Sequence, residues 1–248
     1  MSDRSNIAYC YDGTFYGLLT CIFDAYALQE SPVLIFPSGE DQATLFPVRE
    51  ILTDRAKSDR VQRGLTKIGT LDFVQRAFLT CLPDKEIRIL DFVRLAFKVG
   101  VKSLSMLADD RVAPLNAALV HLGKESDHYK GFVRFVEVNG VLTSTIEPKN
   151  FVLPLLAPHF ANRFPMENLA IFDKTHGVAV LSELGRYKFA YADSIEFDAP
   201  SERERDFQAL WKLFYDTLAI PERYNPRCRM SLMPKRYWSQ MSELAGEM

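Results

Sequence analysis

Apolar residues recur every three to four positions through most of the first half of the chain, the spacing that places them on one face of an α-helix. Leu18 and Ile22 show this spacing first, after an apolar stretch at residues 7–11 that predicts a short strand. Residues 30–53 mix proline, glycine and serine with short apolar runs, and they predict loops with one strand. The pattern predicts helices over residues 14–28, 53–67, 73–82, 84–100 and 114–128, with Thr53 as the N-cap of the second.

The second half of the chain changes to short stretches that are typical of strands. Two of them, residues 132–138 and 141–147, flank the dipeptide Asn139-Gly140. Asn-Gly at this separation predicts a type I′ hairpin, because both positions of that turn need a positive φ. Two further strands are predicted at residues 169–173 and 178–182.

A last long helix is predicted after Ser201, which forms a capping box with Glu204. One face of this helix is a wide apolar stripe, formed by Phe207, Leu210, Trp211, Phe214 and Leu218.

The order of these elements predicts the fold class. Runs of helices followed by runs of strands favour an α+β fold, with a helical N-terminal half and a smaller antiparallel sheet packed by helices. No linker rich in glycine and serine separates two domains, so we expect residues 1–248 to form one family unit. Within it we expect a mostly helical part at residues 1–105 and an α+β part at residues 106–248.

Residues 146–165, IEPKNFVLPLLAPHFANRFP, combine four prolines with several large apolar side chains. Proline fixes φ and lacks an N–H donor, so this density disfavours an ordinary helix. The apolar residues disfavour a flexible loop. The block therefore predicts a rigid connector that packs across the small sheet, with His159 as its one ionisable group of chemical interest.

Composition excludes several classes of protein. The net charge of −2 does not by itself demand a nucleic-acid or membrane partner. The four cysteines form no CxxC pair, which argues against a zinc site, an iron–sulfur cluster and a disulfide framework. The first residues lack the pattern of a signal peptide, and no apolar stretch approaches the ~20 residues that cross a bilayer. We therefore expect a cytoplasmic protein.

Two stretches are locally basic, residues 54–67 and 221–238. The second also contains aromatic residues, and cations with aromatic rings suit phosphates and unpaired bases respectively. The alternative is a solvated surface whose aromatic rings pack inward. The candidate nucleic-acid-binding residues are Arg223, Arg227, Arg229, Arg236, Tyr237 and Trp238, with the last two either stacking on bases or packing beneath the arginines.

Histidines and carboxylates provide weaker signals. His121, Glu125 and His128 share one face of the predicted fifth helix, within reach of one metal ion. Their spacing is not that of the HExxH motif, however, and a row of polar residues on the helix surface explains them better. His159 and Asp173 would form an acid–base pair if the fold brought them together. No GxSxG, GxxxxGK[ST] or GxGxxG motif occurs, and we predict no cofactor and no metal.

Several stretches together resemble a bacterial family of DNA metabolism proteins built on a domain of unknown function. The resemblance extends over nearly the whole chain, and its most specific parts are the proline-rich block and the final NP…MPKRYW. The matching stretches are YDGTFYGLL (11–19), TDRAKSDRVQRGL (53–65), ESDHYKGFVRFVE (125–137), IEPKNFVLPLLAPHFANRFP (146–165) and LWKLFYDTLAIPERYNPRCRMSLMPKRYW (210–238).

The resemblance implies a role in DNA repair or modification beside a radical-SAM protein, and some relatives are fused to a uracil-DNA-glycosylase-like domain. This chain has neither a radical-SAM CxxxCxxC motif nor a glycosylase-like domain of its own. Our leading hypothesis is an accessory DNA-binding protein, with DNA and a radical-SAM protein as partners. The alternatives are a protein-interaction scaffold and a hydrolase or nucleic-acid lyase that uses His128, His159, Asp173 and a carboxylate such as Glu125.

Overall fold

The computed structural model describes residues 7–39, 44–195, 197, 201–241 and 243–244. It has the predicted α+β class, and the chain forms two compact units, Met1–Leu122 and Gly123–Met248. No helix of the described part of the chain is both long enough and apolar enough to cross a membrane.

The first unit contains a small sheet of three strands: β1 (Ala8–Tyr11), β2 (Leu34–Pro37) and β3 (Val48–Glu50). Strand β1 is central, and both neighbours pair with it in parallel. The strand predicted at residues 7–11 is thus confirmed, but the region predicted as loops with one strand supplies both β2 and β3. Their four and three residues are too few to show a clear alternation of apolar and polar positions.

The helices of this unit are α1 (Phe15–Ala27), α2 (Arg55–Lys67), α3 (Leu71–Phe78) and α4 (Lys85–Val99), and α5 (Ala113–Phe132) begins in it. All five predicted helices are confirmed, with shifted ends. The N-cap of α2 is Asp54, one residue after the predicted Thr53, because the Asp54 carboxylate accepts the Lys57 N–H at 3.1 Å. Thr53 instead donates its hydroxyl to Asp12 at 2.7 Å. The apolar faces meet in one core that includes Tyr9, Leu18, Ile22, Leu90 and Phe92.

The second unit contains a five-stranded sheet in chain order: β4 (Val136–Val138), β5 (Val141–Ile146), β6 (Asn168–Asp173), β7 (Val178–Glu183) and β8 (Arg186–Tyr191). The predicted hairpin is confirmed, since Asn139 and Gly140 have φ of 52° and 79° between the antiparallel β4 and β5. The sheet is antiparallel except that β5 and β6 run in parallel. Sequence analysis missed this parallel pair and strand β8.

The proline-rich block, predicted to be a rigid connector, forms a helix, which its density of prolines had disfavoured. Helix α6 (Leu153–Arg163) joins the parallel strands β5 and β6. Pro154 lies in the first turn, where its missing N–H would have no helical partner in any case. Pro158 lies inside the helix and removes one backbone hydrogen bond. Packing compensates for the missing hydrogen bond, because the buried apolar side chains of α6 contact strands β7 and β8 of the sheet.

The described C-terminal part begins with the long helix α7 (Glu202–Leu218). A 3-10 turn at Pro221–Arg223, the short α8 (Pro226–Leu232) and a 3-10 helix at Lys235–Gln240 follow it. Trp238, Met241 and Leu244 form a small core with Phe132, Tyr215 and Met233. The predicted cap of α7 is confirmed, because the Glu204 N–H donates to the Ser201 hydroxyl at 3.1 Å. Its apolar stripe, however, has no buried residue.

Candidate nucleic-acid interface

The basic C-terminal segment is built on a floor of two buried aromatic rings. Tyr237 and Trp238 are only 0% and 2% exposed, and the Trp238 indole N–H donates to the Met233 carbonyl at 2.9 Å. Tyr237 packs edge-on against Tyr129, with ring centroids 5.0 Å apart. In this arrangement neither Tyr237 nor Trp238 can stack on a base, and both pack beneath the cations.

Three cations lie against this aromatic floor. The Arg229 guanidinium and the Lys235 ammonium lie 4.9 and 5.5 Å from the centre of the Trp238 ring, and the Arg236 guanidinium lies 4.7 Å from that of Tyr237. Arg236 also donates to the Tyr237 hydroxyl. A cation over an aromatic face is stabilised by the ring quadrupole and keeps its charge. The floor therefore holds positive charge in place without neutralising it.

Two further arginines of the same segment are exposed to solvent. Arg223 and Arg227 are exposed, and neither side chain has a carboxylate partner among the described residues. Asn225 caps α8 by accepting the Cys228 N–H at 3.0 Å, which fixes the backbone between the two arginines. We call Arg223, Arg227, Arg229, Lys235 and Arg236 the basic layer.

The buried Glu125 anchors the end of the basic layer to a loop. Its side chain is 3% exposed, and its oxygens accept the backbone N–H of Lys149 at 3.1 Å and of Asn150 at 2.8 Å. The Asn150 amide donates to it at 2.6 Å, and Arg236 lies 3.4 Å away. These contacts occupy both carboxylate oxygens, so Glu125 serves the architecture of the site, and a catalytic role for it stays a prediction.

Tyr129 holds the same loop. Burial raises the pKa of its phenol above the ordinary range, with smaller contributions from Tyr237 and Glu125, and its hydroxyl interacts with the Glu147 backbone. Together, Tyr129 and Glu125 fix the loop at residues 147–151, which we call the anchored loop.

His128 is packed among aromatic rings. Its ring stacks on Phe132 with centroids 5.5 Å apart and meets the edge of Tyr237 at 5.2 Å. Its Nδ1 is buried and has no hydrogen-bond partner in the part of the chain that the structure describes. His128 thus adjoins the basic layer, but no described carboxylate orients it as a base.

The structure gives His159 and Asp173 different surroundings. Burial lowers the pKa of His159 below its ordinary value, and the nearby Lys130 and Arg163 lower it further. Asp173 is 0% exposed and accepts the backbone N–H of Thr175 and His176 at 3.0 and 3.1 Å. Its other oxygen lies 2.7 Å from His176 Nδ1. Asp173 is therefore hydrogen-bonded to His176 and not to His159.

Sequence reasoning missed His176 as a site residue. The available signal was its place three residues after an aspartate at a strand end, where an Asp side chain commonly binds the following backbone. That pattern predicts the turn, but it does not predict that the His176 imidazole also forms a hydrogen bond with the Asp173 carboxylate.

The basic stretch in the first unit differs from the basic layer in its counter-charges. Lys57 pairs with Asp24 at 2.7 Å, and Arg55 lies 3.8 Å from Asp59. Two of the five cations in this stretch thus have a carboxylate partner, whereas the two exposed arginines of the basic layer have none among the described residues, so this stretch is the weaker candidate for binding phosphates.

No group of three or more metal-ligating side chains occurs among the described residues. On helix α5, His121 is exposed and Glu125 is buried against the anchored loop, so the predicted polar row is divided between solvent and interior.

Comparison with known proteins gives one result. The model of a family described as a domain of unknown function, DUF4130, matches residues 83–243, nearly two thirds of the chain. The matched range includes the anchored loop, the Asp173–His176 pair and the whole basic layer. No match to the chain was found among curated proteins or among solved structures.

Proposed function

Because the chain belongs to the DUF4130 family, a domain of unknown function, we propose a function from the geometry of its basic layer. The protein is an accessory DNA-binding protein in DNA repair or modification, and it binds single-stranded or distorted DNA. The observation that carries this proposal is the set of three cations over two buried aromatic rings, together with two exposed arginines of the same segment that have no carboxylate partner among the described residues.

Charge balance supports binding to a phosphate backbone. The whole chain has a net charge of −2, so the cations of the basic layer are a local feature. Binding of phosphates by such cations releases counterions from DNA, which supplies affinity that does not depend on sequence. Tyr224 is 67% exposed beside Arg229 and offers a ring on which an unpaired base can stack, the role that the buried Tyr237 and Trp238 do not fill.

We further propose that the protein acts with a radical-SAM protein, as the family resemblance implies. Helix α7 supports a protein partner, because Phe207, Leu210 and Phe214 are each more than half exposed on one face. Exposed apolar patches of this kind mark interaction surfaces. Co-purification of the partner without any DNA binding would favour the scaffold alternative.

The geometry favours binding over a catalytic site made from the four residues considered at first. Glu125 is occupied by the anchored loop, and His128 is enclosed by aromatic rings. Asp173 is paired with His176, and His159 lies among cations. No described contact joins His128 or His159 to Asp173.

The test is the salt dependence of binding to a fluorescent 12-nucleotide oligo(dT), to a duplex of the same length and to a uracil-containing strand. The double variant Arg223→Ala/Arg227→Ala removes two exposed cations and leaves the aromatic floor intact. We expect weaker binding, and a salt slope for oligo(dT) that is smaller by about 1.4, since each phosphate contact on a single strand contributes about 0.7.

The matched control is Arg186→Ala/Lys188→Ala on the edge strand β8, which removes the same charge from exposed positions of the same unit. It should leave the slope unchanged. An Arg223→Ala/Arg227→Ala protein with unaltered affinity and slope would refute the proposed interface.

A further inference from the structure

The Asp173–His176 pair is more elaborate than its turn requires. The turn between β6 and β7 is already stabilised when Asp173 accepts the backbone N–H groups of Thr175 and His176. The same carboxylate also lies 2.7 Å from the imidazole Nδ1 of His176. Because a carboxylate accepts and cannot donate, His176 Nδ1 must carry the proton. Nε2 of the neutral ring is then a hydrogen-bond acceptor, and the side chain remains 28% exposed.

The aromatic ring of Phe151 packs beside this imidazole. The Phe151 ring lies 5.1 Å from the His176 ring, tilted by 46°, and it is half-buried. Both residues follow the carboxyl ends of the parallel strands β5 and β6.

The anchored loop connects this edge to the basic layer. Phe151 directly follows Asn150, whose N–H and amide bind Glu125, and Glu125 lies 3.4 Å from Arg236. Lys174, next to Asp173, pairs with Glu147 at the start of the same loop at 3.0 Å. Phe151 is thus linked to Arg236 of the basic layer through Asn150 and Glu125.

We propose that Phe151 and His176 form a subsite for one unpaired nucleobase of the bound strand. The base stacks against Phe151, and His176 Nε2 accepts an N–H from the edge of the base. Every base offers an N–H donor and a π face, so the subsite recognises an unstacked base without selecting one sequence. This inference rests on the proposed DNA-binding function and names what that function recognises besides phosphate.

The experiment compares a 12-nucleotide oligo(dT) with an abasic 12-mer, which has the same deoxyribose-phosphate backbone and no bases. The wild-type protein should bind oligo(dT) more tightly than the abasic 12-mer, and the stack on Phe151 should account for about 5- to 150-fold of that preference, the range that one base–aromatic stack supplies. Stacking on Tyr224 accounts for the rest. Phe151→Leu keeps an apolar side chain and removes the aromatic face, so it should reduce this ratio. His176→Leu should reduce it as well, and His176→Gln, which keeps an acceptor, should restore part of it.

A direct measurement follows the imidazole itself. The ¹⁵N signal of His176 Nε2 should shift on addition of oligo(dT) and stay in place with the abasic 12-mer. Phe189→Leu, at an exposed ring on β8, serves as the control and should keep the wild-type ratio. Thermal unfolding of each variant verifies that it is folded.

The two proposals fail in different ways. If both probes bind equally well, with a salt slope that depends on Arg223 and Arg227, the nucleobase subsite is refuted and the DNA-binding function stands. If neither probe binds, both proposals are refuted. A ratio that persists in Phe151→Leu and in His176→Leu also refutes the subsite.

Discussion

At the scale of single residues, burial decides what an ionisable side chain does. Glu125 and Asp173 are both charged residues in strongly buried positions, and each accepts two backbone N–H groups and a side-chain donor. Burial of a carboxylate is costly unless hydrogen bonds compensate for the lost water. Hydrogen bonds from these donors therefore allow each carboxylate to be buried.

His159 gives a prediction for stability against pH. Burial, Lys130 and Arg163 depress its pKa in the folded state, so between that pKa and about 6.5 the unfolded chain binds more protons. The contribution of His159 to the free energy of unfolding therefore falls as the pH drops from about 6.5 toward its folded-state pKa, by at most about 1.4 kcal/mol per pH unit. Urea unfolding at pH 7.5 and pH 5.5 should show a smaller acid-induced loss for His159→Gln than for the wild type.

His121→Gln is the control for this effect, since His121 is exposed on α5. It should lose as much stability between the two pH values as the wild type does. Equal losses in His159→Gln and the wild type would contradict the assignment.

At the scale of elements, the local signals with a steric cause were the reliable ones. The Asn139-Gly140 turn has the positive φ values that its sequence demands. Proline was the misleading signal, because α6 tolerates Pro154 in its first turn and Pro158 through packing on the sheet. A missing hydrogen bond is a local cost, and only tertiary contacts can offset it.

Replacing each of two glycines in the second unit by alanine should change the free energy of unfolding in opposite directions. A Cβ at Gly140 or at Gly123 meets no atom within 4 Å, so backbone conformation alone decides the outcome. Gly140 has a φ of 79°, and Gly140→Ala should lower the free energy of unfolding by about 1–2 kcal/mol. Gly123 lies inside α5, and Gly123→Ala should raise it by about 0.4–1 kcal/mol.

Denaturant titration of both variants checks this pair. Because neither change alters a contact, a destabilised Gly123→Ala or a neutral Gly140→Ala would contradict the backbone argument.

Helix α7 shows the limit of pattern at this scale. Its apolar stripe predicts a helix correctly, and the helix forms with the predicted cap. An apolar stripe on a helix usually packs against the rest of the protein, yet Phe207, Leu210 and Phe214 are exposed among the described residues. Periodicity specifies which residues share a face, and it does not specify what that face meets.

At the scale of the whole molecule, the chain forms two compact units with the boundary at Leu122 and Gly123, inside α5. We proposed from the sequence one family unit with a subdivision after residue 105, and nothing in the sequence marks a boundary within a helix. Each unit is about the size of an ordinary domain.

The two units should unfold in separable steps. Leu18 and Ile171 are both fully buried, one in each unit, and Leu18→Ala and Ile171→Ala each remove core contacts worth about 2–5 kcal/mol. We expect calorimetry to resolve two transitions, of which each variant lowers a different one. A single transition that both variants lower equally would show that residues 1–248 unfold as one cooperative unit.

The sequence by itself determined most helices, the Asn139-Gly140 hairpin, the α+β class and the concentration of positive charge near the C-terminus. These features depend on spacing, turn chemistry and composition, which are local properties of the chain. The parallel pairing of β5 with β6, the burial of Tyr237 and Trp238, the contacts of Glu125 and the Asp173–His176 pair were decided only by tertiary structure. Each joins groups through packing and hydrogen bonds whose geometry no local pattern records.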